Sequence, residues 1–149
     1  MRYLLDTSIV SDLIRNPAGP VTQRIQEVGE GCVCTSIVVS AELRFGAEKR
    51  GSPRLRAQVD AVLGHLEVLP LKAPADVTYA RVRAALEQAG QPIGGNDLLI
   101  AAHALTLGCT VVTANMREFA RIDGLACENW LEMPWHSVHQ RVGSFEDAG

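Results

Sequence analysis

Four acidic residues stand in four separate segments of this chain, each next to a run that reads as a strand or as the start of a helix. Asp6 follows the short apolar run 2–5. Glu42 lies two turns into the helical pattern that starts at Ser36. Asp97 opens an apolar helical run, and Glu118 comes shortly after the strand-like run 110–113. Carboxylates about 4 Å apart repel by roughly 4 kcal/mol per pair at an effective dielectric near 20. A bare cluster must therefore take up protons, or share a cation. Mg²⁺ and Mn²⁺ suit oxygen ligands, and Mg²⁺ is usually held by one or two carboxylates, several waters and substrate phosphate oxygens. Such an ion activates water for an in-line displacement at phosphorus. In that chemistry Asp6 and Asp97 serve as metal ligands, while Glu42 or Glu118 orients or deprotonates the water or holds a second ion. Thr7, Ser8 and Thr113 supply hydroxyls at the same places, and the start of the helix after Asp6 favours a phosphate.

Each of these residues also has a plainer use. Asp6 and Asp97 suit the N-terminal caps of helices. Glu42 lies at the margin of an apolar stripe, and a Glu at position 118 is ordinary on a surface helix. Only the four together point to metal chemistry. The histidines add nothing to it: His103 lies six residues beyond Asp97 on an apolar helix and reads as structural, and no Ser-His or Cys-His pairing emerges.

The elements that must position these acids alternate between two kinds. Short strand-like runs fall at 2–5, 32–35, 67–71, 110–113 and 126–128. Helical periodicity covers 8–15, the Val21/Ile25/Val28 stripe, 36–50, the stripe from Leu55 to Leu66, the stripe through Val82 and Leu86, and 96–107, with a short helix through Phe119. This rhythm predicts an α/β fold, a parallel sheet with helices on both faces. In such sheets functional groups gather beyond the C-terminal ends of the strands, which is where Asp6 and Thr113 fall. The pattern fades after Trp135, so the reading is one domain over 1–135 and a flexible tail over 136–149.

Composition bounds the function. At 149 residues, 47% hydrophobic and 21% charged, the chain can bury the core of one domain. Its formal charge of −3 excludes nucleic-acid binding through bulk positive charge. Of its 14 basic residues only Lys49 and Lys72 are lysine, the rest being arginine, which grips phosphate bidentately. Local basic candidates are Arg44, Lys49, Arg50, Arg54 and Arg56 on two adjacent helices, and Arg117 and Arg121 near the acids. Aromatic residues make up 5%, too few for a platform of stacked bases. The four cysteines are scattered and read as small buried hydrophobes, Cys32 and Cys34 facing one side of a strand. No apolar run approaches the roughly 20 residues that span a bilayer. A carboxylate at position 6 comes too early for a secretory signal, so the expected location is the cytoplasm.

Four segments in this order, YLLDTSIVSDLI, TSIVVSAELRFGA, IGGNDLLIAAHALTLG and TVVTANMREFARIDGL, resemble PIN-domain proteins, in particular the VapC toxins of bacterial toxin–antitoxin modules. The likeness runs from Met1 to about Trp130. It implies a Mg²⁺- or Mn²⁺-dependent endoribonuclease acting on structured RNA such as a tRNA-like or ribosomal loop. It also implies a homodimer and a VapB-like antitoxin whose C-terminal segment covers the acidic pocket. The family's three best-defined acids fall on Asp6, Glu42 and Asp97. Many relatives carry Asp where this chain has Asn115, and a subgroup pairs Asn there with a Glu three residues on, as Asn115 and Glu118 do here. Which of the two fills the fourth position stays open. Helices bearing Val38, Phe45, Leu55 and Val59 are candidates for the dimer or antitoxin surface. Two other readings compete: a PIN-fold nucleic-acid-binding protein acting in a DNA-bound complex, and a phospho-accepting receiver-like module. A receiver would pair two acids after its first strand and carry a late lysine, and this chain has neither.

Overall fold

The structure, a computed structural model, describes residues 1–132 and the backbone of 136–138. Its strands are β1 (Tyr3–Leu5), β2 (Val33–Ser36), β3 (Glu67–Leu69), β4 (Thr110–Val112), β5 (Cys127–Asn129) and β6 (His136–Val138). Its helices are α1 (Thr7–Arg15), α2 (Pro20–Val28), α3 (Ile37–Arg50), α4 (Pro53–His65), α5 (Ala75–Gln88), α6 (Gly95–Leu107) and α7 (Met116–Phe119).

The strands form one sheet in the order β3-β2-β1-β4-β5-β6, parallel from β3 to β5, with β6 antiparallel at the edge. β1, β2, β4 and β5 are buried along their whole length, as strands covered on both faces must be, although β2 and β5 carry polar residues. The expected α/β architecture is therefore present. Past the expected boundary at 135, the backbone of 136–138 pairs with β5, a strand that polar residues and an absence of periodicity hid from the sequence reading. The rest of the expected tail, 139–149, lies outside the described residues.

The chain leaves β1 toward β2 on one side, while β4 lies on the other. The strand order thus reverses at β1, and a crevice opens beyond the C-terminal ends of β1 and β4. Asp6 stands in that crevice, its N–H bonded to the Val112 carbonyl at 3.0 Å.

Helix ends are set by local chemistry. Ser36 caps α3 by accepting from the Val38 N–H. Ser52 caps α4 by accepting from the Leu55 N–H, with Pro53 at the first helical position. Gly51 (φ 60°) and Gly108 (φ 71°) close α3 and α6 in left-handed conformations that a side chain would oppose. α6 buries Leu98, Ile100, Ala101, Ala102, His103 and Ala104, which explains why its sequence is apolar on nearly every side.

The cysteines are all free thiols, and Cys34, Cys109 and Cys127 are buried as expected. Cys32 departs from expectation. It ends a single 3₁₀ turn (Glu30–Cys32) and is half-buried, so it does not share a strand face with Cys34. No helix among the described residues is long and apolar enough to cross a membrane.

Candidate active site

Asp6 does both things its sequence position allowed. As the N-cap of α1 it accepts the Ile9 N–H at 3.1 Å, and it is 3% exposed at the centre of the crevice. Two hydroxyls tie it to the turn after β4. Ser8 Oγ donates to Asp6 Oδ1 at 2.7 Å and accepts the Ala114 N–H at 3.2 Å. Thr113, fully buried, donates its hydroxyl to Asp6 and accepts the Asn115 N–H at 2.8 Å. Each hydroxyl thus relays one backbone amide of that turn to the Asp6 carboxylate, an arrangement that favours the ionised form. Burial opposes it and prevails: the Asp6 carboxyl is pushed up to about 6, with the nearby charge of Asp97 adding to the rise.

Asp97 sits in the first turn of α6, half-buried; the turn is capped from Gly94, so the capping reading of Asp97 does not hold. Asn115 Nδ2 donates to Asp97 Oδ2 at 3.2 Å. Burial raises the carboxyl above its ordinary value, the Asn115 bond lowers it, and Glu118 and Glu42 raise it again by like charge. Glu118 also lies within hydrogen-bonding reach of Asp97. Glu42 is held at both oxygens. Thr7 Oγ1 donates to Oε1, and Asn96 Nδ2 donates to Oε2 at 2.6 Å.

The fold therefore brings Asp6, Glu42, Asp97 and Glu118 to one end of the sheet, together with Thr7, Thr113 and Asn115. Ser8 and Asn96 join them, and sequence reasoning missed Asn96 as a site residue. The available signal was its place beside Asp97 on a helix facing the one that carries Glu42. Among the described residues no three acid, histidine or cysteine side chains stand close enough to enclose a metal ion by themselves. The donor set fits a different kind of site. Asp6 and Asp97, both of raised pKa, lie close enough for the charge of Asp97 to act on Asp6, which suits an ion that keeps several waters and takes oxygens from a substrate phosphate. Neutralising those carboxylates relieves the cost of their burial.

Three of the seven basic candidates are engaged elsewhere. Arg44 bonds Asp60 at 2.6 Å and Arg56 bonds Glu48 at 3.4 Å, so the run on α3 and α4 is partly neutralised by that hairpin's own acids. Lys49 and Arg50 are exposed in the last turn of α3, two turns beyond Glu42, and Arg54 is exposed on α4. Arg117 is exposed beside Glu118, while Arg121 donates to the Pro92 carbonyl at 3.0 Å and steadies the loop leading into α6. Of the apolar surface candidates only Phe45 is open, at 66% exposure; Val59 belongs to the core, and Val38 and Leu55 pack partly against it.

The geometry separates the two contenders for the fourth position. Asn115 donates to Asp97, whereas Glu118 brings a charge against it. Glu118→Gln is expected to lower the activity that the resemblance implies by about 10- to 100-fold, the range seen when a supporting residue of a metal site is lost. Asn115→Ala, which removes one hydrogen bond and no charge, is expected to cost less. The Asp97 pKa, followed by NMR, should fall in the first variant and rise in the second. The reverse order of activities would give the fourth position to Asn115.

Residues 3–125 match the PIN domain. The chain is 37% identical over 131 residues to the tRNA(fMet)-specific endonuclease VapC of Shigella flexneri, covering 87% of this chain and 98% of that protein. Among solved structures, DNA-bound VapBC from Salmonella typhimurium superposes with a TM-score of 0.82 at 36% identity, covering 87% of this chain and 98% of that one. VapBC2 from Rickettsia felis, bound to a DNA fragment from its promoter, gives a TM-score of 0.80 at 35% identity, with 87% and 99% covered.

Proposed function

Since this chain belongs to the PIN-domain family, among the VapC ribonuclease toxins, we propose that it cleaves structured RNA with Mg²⁺ or Mn²⁺ held by Asp6 and Asp97. The observation that carries this reading is the meeting of buried Asp6 and half-buried Asp97, both of raised pKa, at the β1–β4 crevice with Glu42 and Glu118 beside them. When bound, the ion supplies charge to the phosphate oxygens and lowers the pKa of a water. The protein's residues do the rest. Asp6 is aimed by Ser8, Thr113 and the Ile9 N–H, so it need not reorganise on binding. Asn115 holds one oxygen of Asp97. Glu42, fixed by Thr7 and Asn96, stands as the base or water-orienting group. Exposed Arg117, Lys49 and Arg50 are the free cations from which a phosphate backbone can be gripped, giving binding that weakens with salt.

The substrate we infer is a folded RNA, following the tRNA-specific relative. Recognition then rests on shape and backbone, in keeping with the few aromatic residues. A VapB-like antitoxin is the proposed partner, as in the VapBC complexes this fold matches. Its C-terminal segment would set a guanidinium against the acidic crevice, a charge-assisted contact that competes with the metal. The DNA in those complexes suggests promoter binding by the pair, with this acidic chain contributing little of the positive charge. Exposed Ile37 and Phe45, two turns apart on α3, support a homodimer contact beside the site. The cytoplasm, where such RNA and reduced thiols are found, is the proposed location. The receiver-like alternative is set aside, because the acids come from four segments and the family is a nuclease family.

The test is cleavage of total tRNA by the purified chain, with Mg²⁺, with Mn²⁺ and with a chelator, followed by mapping of RNA 5′ ends. Discrete 5′ ends that appear with the metals and vanish both with the chelator and in Asp97→Asn are the expected result. Cleavage unaffected by the chelator would remove the metal from the mechanism, and no cleavage of any folded RNA would remove the substrate class.

A further inference from the structure

α3 and α6 carry Glu42 and Asp97, and two side-chain contacts join them. The outer one is Asn96 to Glu42. The inner one lies deep in the core: His103 Nδ1 and Ser36 Oγ are 2.8 Å apart, and His103 is 2% exposed. Since 103 meets 36 while 96 meets 42, the helices run antiparallel, with the two contacts six to seven residues apart along each chain. At 1.5 Å per residue that is about 10 Å.

The inner contact is fully determined chemically. His103 also donates a ring N–H to the Pro70 carbonyl, and a proline offers no N–H in return. With Nδ1 turned to Ser36, the donor is Nε2–H. Burial lowers the ring's pKa, which favours the neutral form, and with Nε2 protonated toward Pro70 the bare Nδ1 accepts the Ser36 hydroxyl proton. Ser36 Oγ in turn accepts the Val38 N–H at 3.0 Å, which makes it the cap of α3. One imidazole thus joins three segments: α6, the junction of β2 with α3, and the loop after β3. None of these contacts touches Asp6, Asp97, Glu42 or Glu118.

We propose that His103 is the positioning residue that sets the register of α6 against α3, and thereby the placement of Asp97 relative to Glu42. Mg²⁺ tolerates little error in ligand distance, so a small slide of one helix past the other is felt at the site while the core still packs. An apolar residue at 103 would fill the space but fix no register, because dispersion contacts are not directional. The proposal rests on the reading of Asp97 and Glu42 as site residues.

The experiment compares wild type, His103→Leu, His103→Asn and a control core truncation, Val21→Ala on α2, for Mn²⁺ affinity by calorimetry, for kcat and KM on RNA, and for Tm. His103→Leu is expected to weaken Mn²⁺ binding at least about tenfold and to lower kcat while KM changes less. His103→Asn, which can keep the Ser36 bond, is expected to recover part of both. The control is expected to lose Tm while keeping wild-type Mn²⁺ affinity. If His103→Leu does not fold, Ser36→Ala breaks the same bond from the other side, with Ser36→Thr as its rescue. Folded His103→Leu or Ser36→Ala with wild-type Mn²⁺ affinity and kcat would overturn the proposal. So would a control that loses affinity in proportion to its Tm. Failure of the wild type itself to bind Mn²⁺ would instead overturn the metal reading of the site.

Discussion

Asp6→Asn is expected to give a protein that is inactive and, without metal, more stable than the wild type. The activity loss follows from the proposed role of Asp6 as a metal ligand and should reach at least about 100-fold in kcat/KM, the upper end of what supporting residues around such ions cost. The stability gain follows from burial. The Asp6 carboxyl has an ordinary value of 3.8 and stands at about 6 in the fold. Holding it ionised at neutral pH therefore costs about 3 kcal/mol, an upper figure because the crevice admits water. Asparagine keeps the capping oxygen for the Ile9 N–H, carries no charge and fits the same space. Urea denaturation at pH 7.5 in a chelator, set beside single-turnover cleavage, measures both effects. A variant that loses activity together with stability would mean that Asp6 is chiefly structural.

The same carboxylate makes stability depend on pH, with a definite sign. Below pH 4 both folded and unfolded chains hold the Asp6 proton, and burial costs nothing. Between about pH 4 and 6 the unfolded chain releases it while the folded chain keeps it, so stability falls as pH rises. Above about 6 the cost is complete and stability levels off. Asp97, also raised, acts in the same direction. On the proposed reading a divalent ion binds the ionised carboxylates of the folded chain, so Mg²⁺ should reverse the trend. Its stabilising effect should be small near pH 4, grow through pH 6 and reach about 2.7 kcal/mol at one hundred times its dissociation constant. Thermal melts over pH 4–8, with chelator and with Mg²⁺, read this directly. In Asp6→Asn most of the pH dependence and most of the Mg²⁺ effect should disappear together. A Mg²⁺ effect of equal size at pH 4 and pH 7.5 would place the ion away from these acids.

Much of this molecule is local, and that part is written plainly in the chain. β1 and β4 are short, mostly apolar runs because a central parallel strand is buried on both faces. α6 is apolar all round because it is packed on most sides. The cap at Asp6 is visible as a side chain that competes for the first free amides of a helix, while the same reading of Asp97 fails because the N-cap of its helix is Gly94. The four acids were legible because each lies next to such an element, and the order of the elements sends them toward one edge of a parallel sheet. β6 was not legible: an edge strand is defined by the backbone it pairs with, and its side chains need follow no pattern.

What the sequence alone determined is therefore the alternation of elements, the cap at Asp6 and the residue types delivered to the strand ends. Only the tertiary structure decided which of those residues act together. The basic run on α3 and α4 looked available until Asp60 and Glu48 came across to Arg44 and Arg56. Asn96 looked like a bystander until α3 laid Glu42 against it. His103 looked like any buried histidine until Ser36 and Pro70 met its two nitrogens. Helix and strand periodicity reports which face of an element is dry, because burial acts on each residue through its own surface. A hydrogen bond or an ion pair needs a second group at about 3 Å, and which group arrives there depends on how distant segments pack.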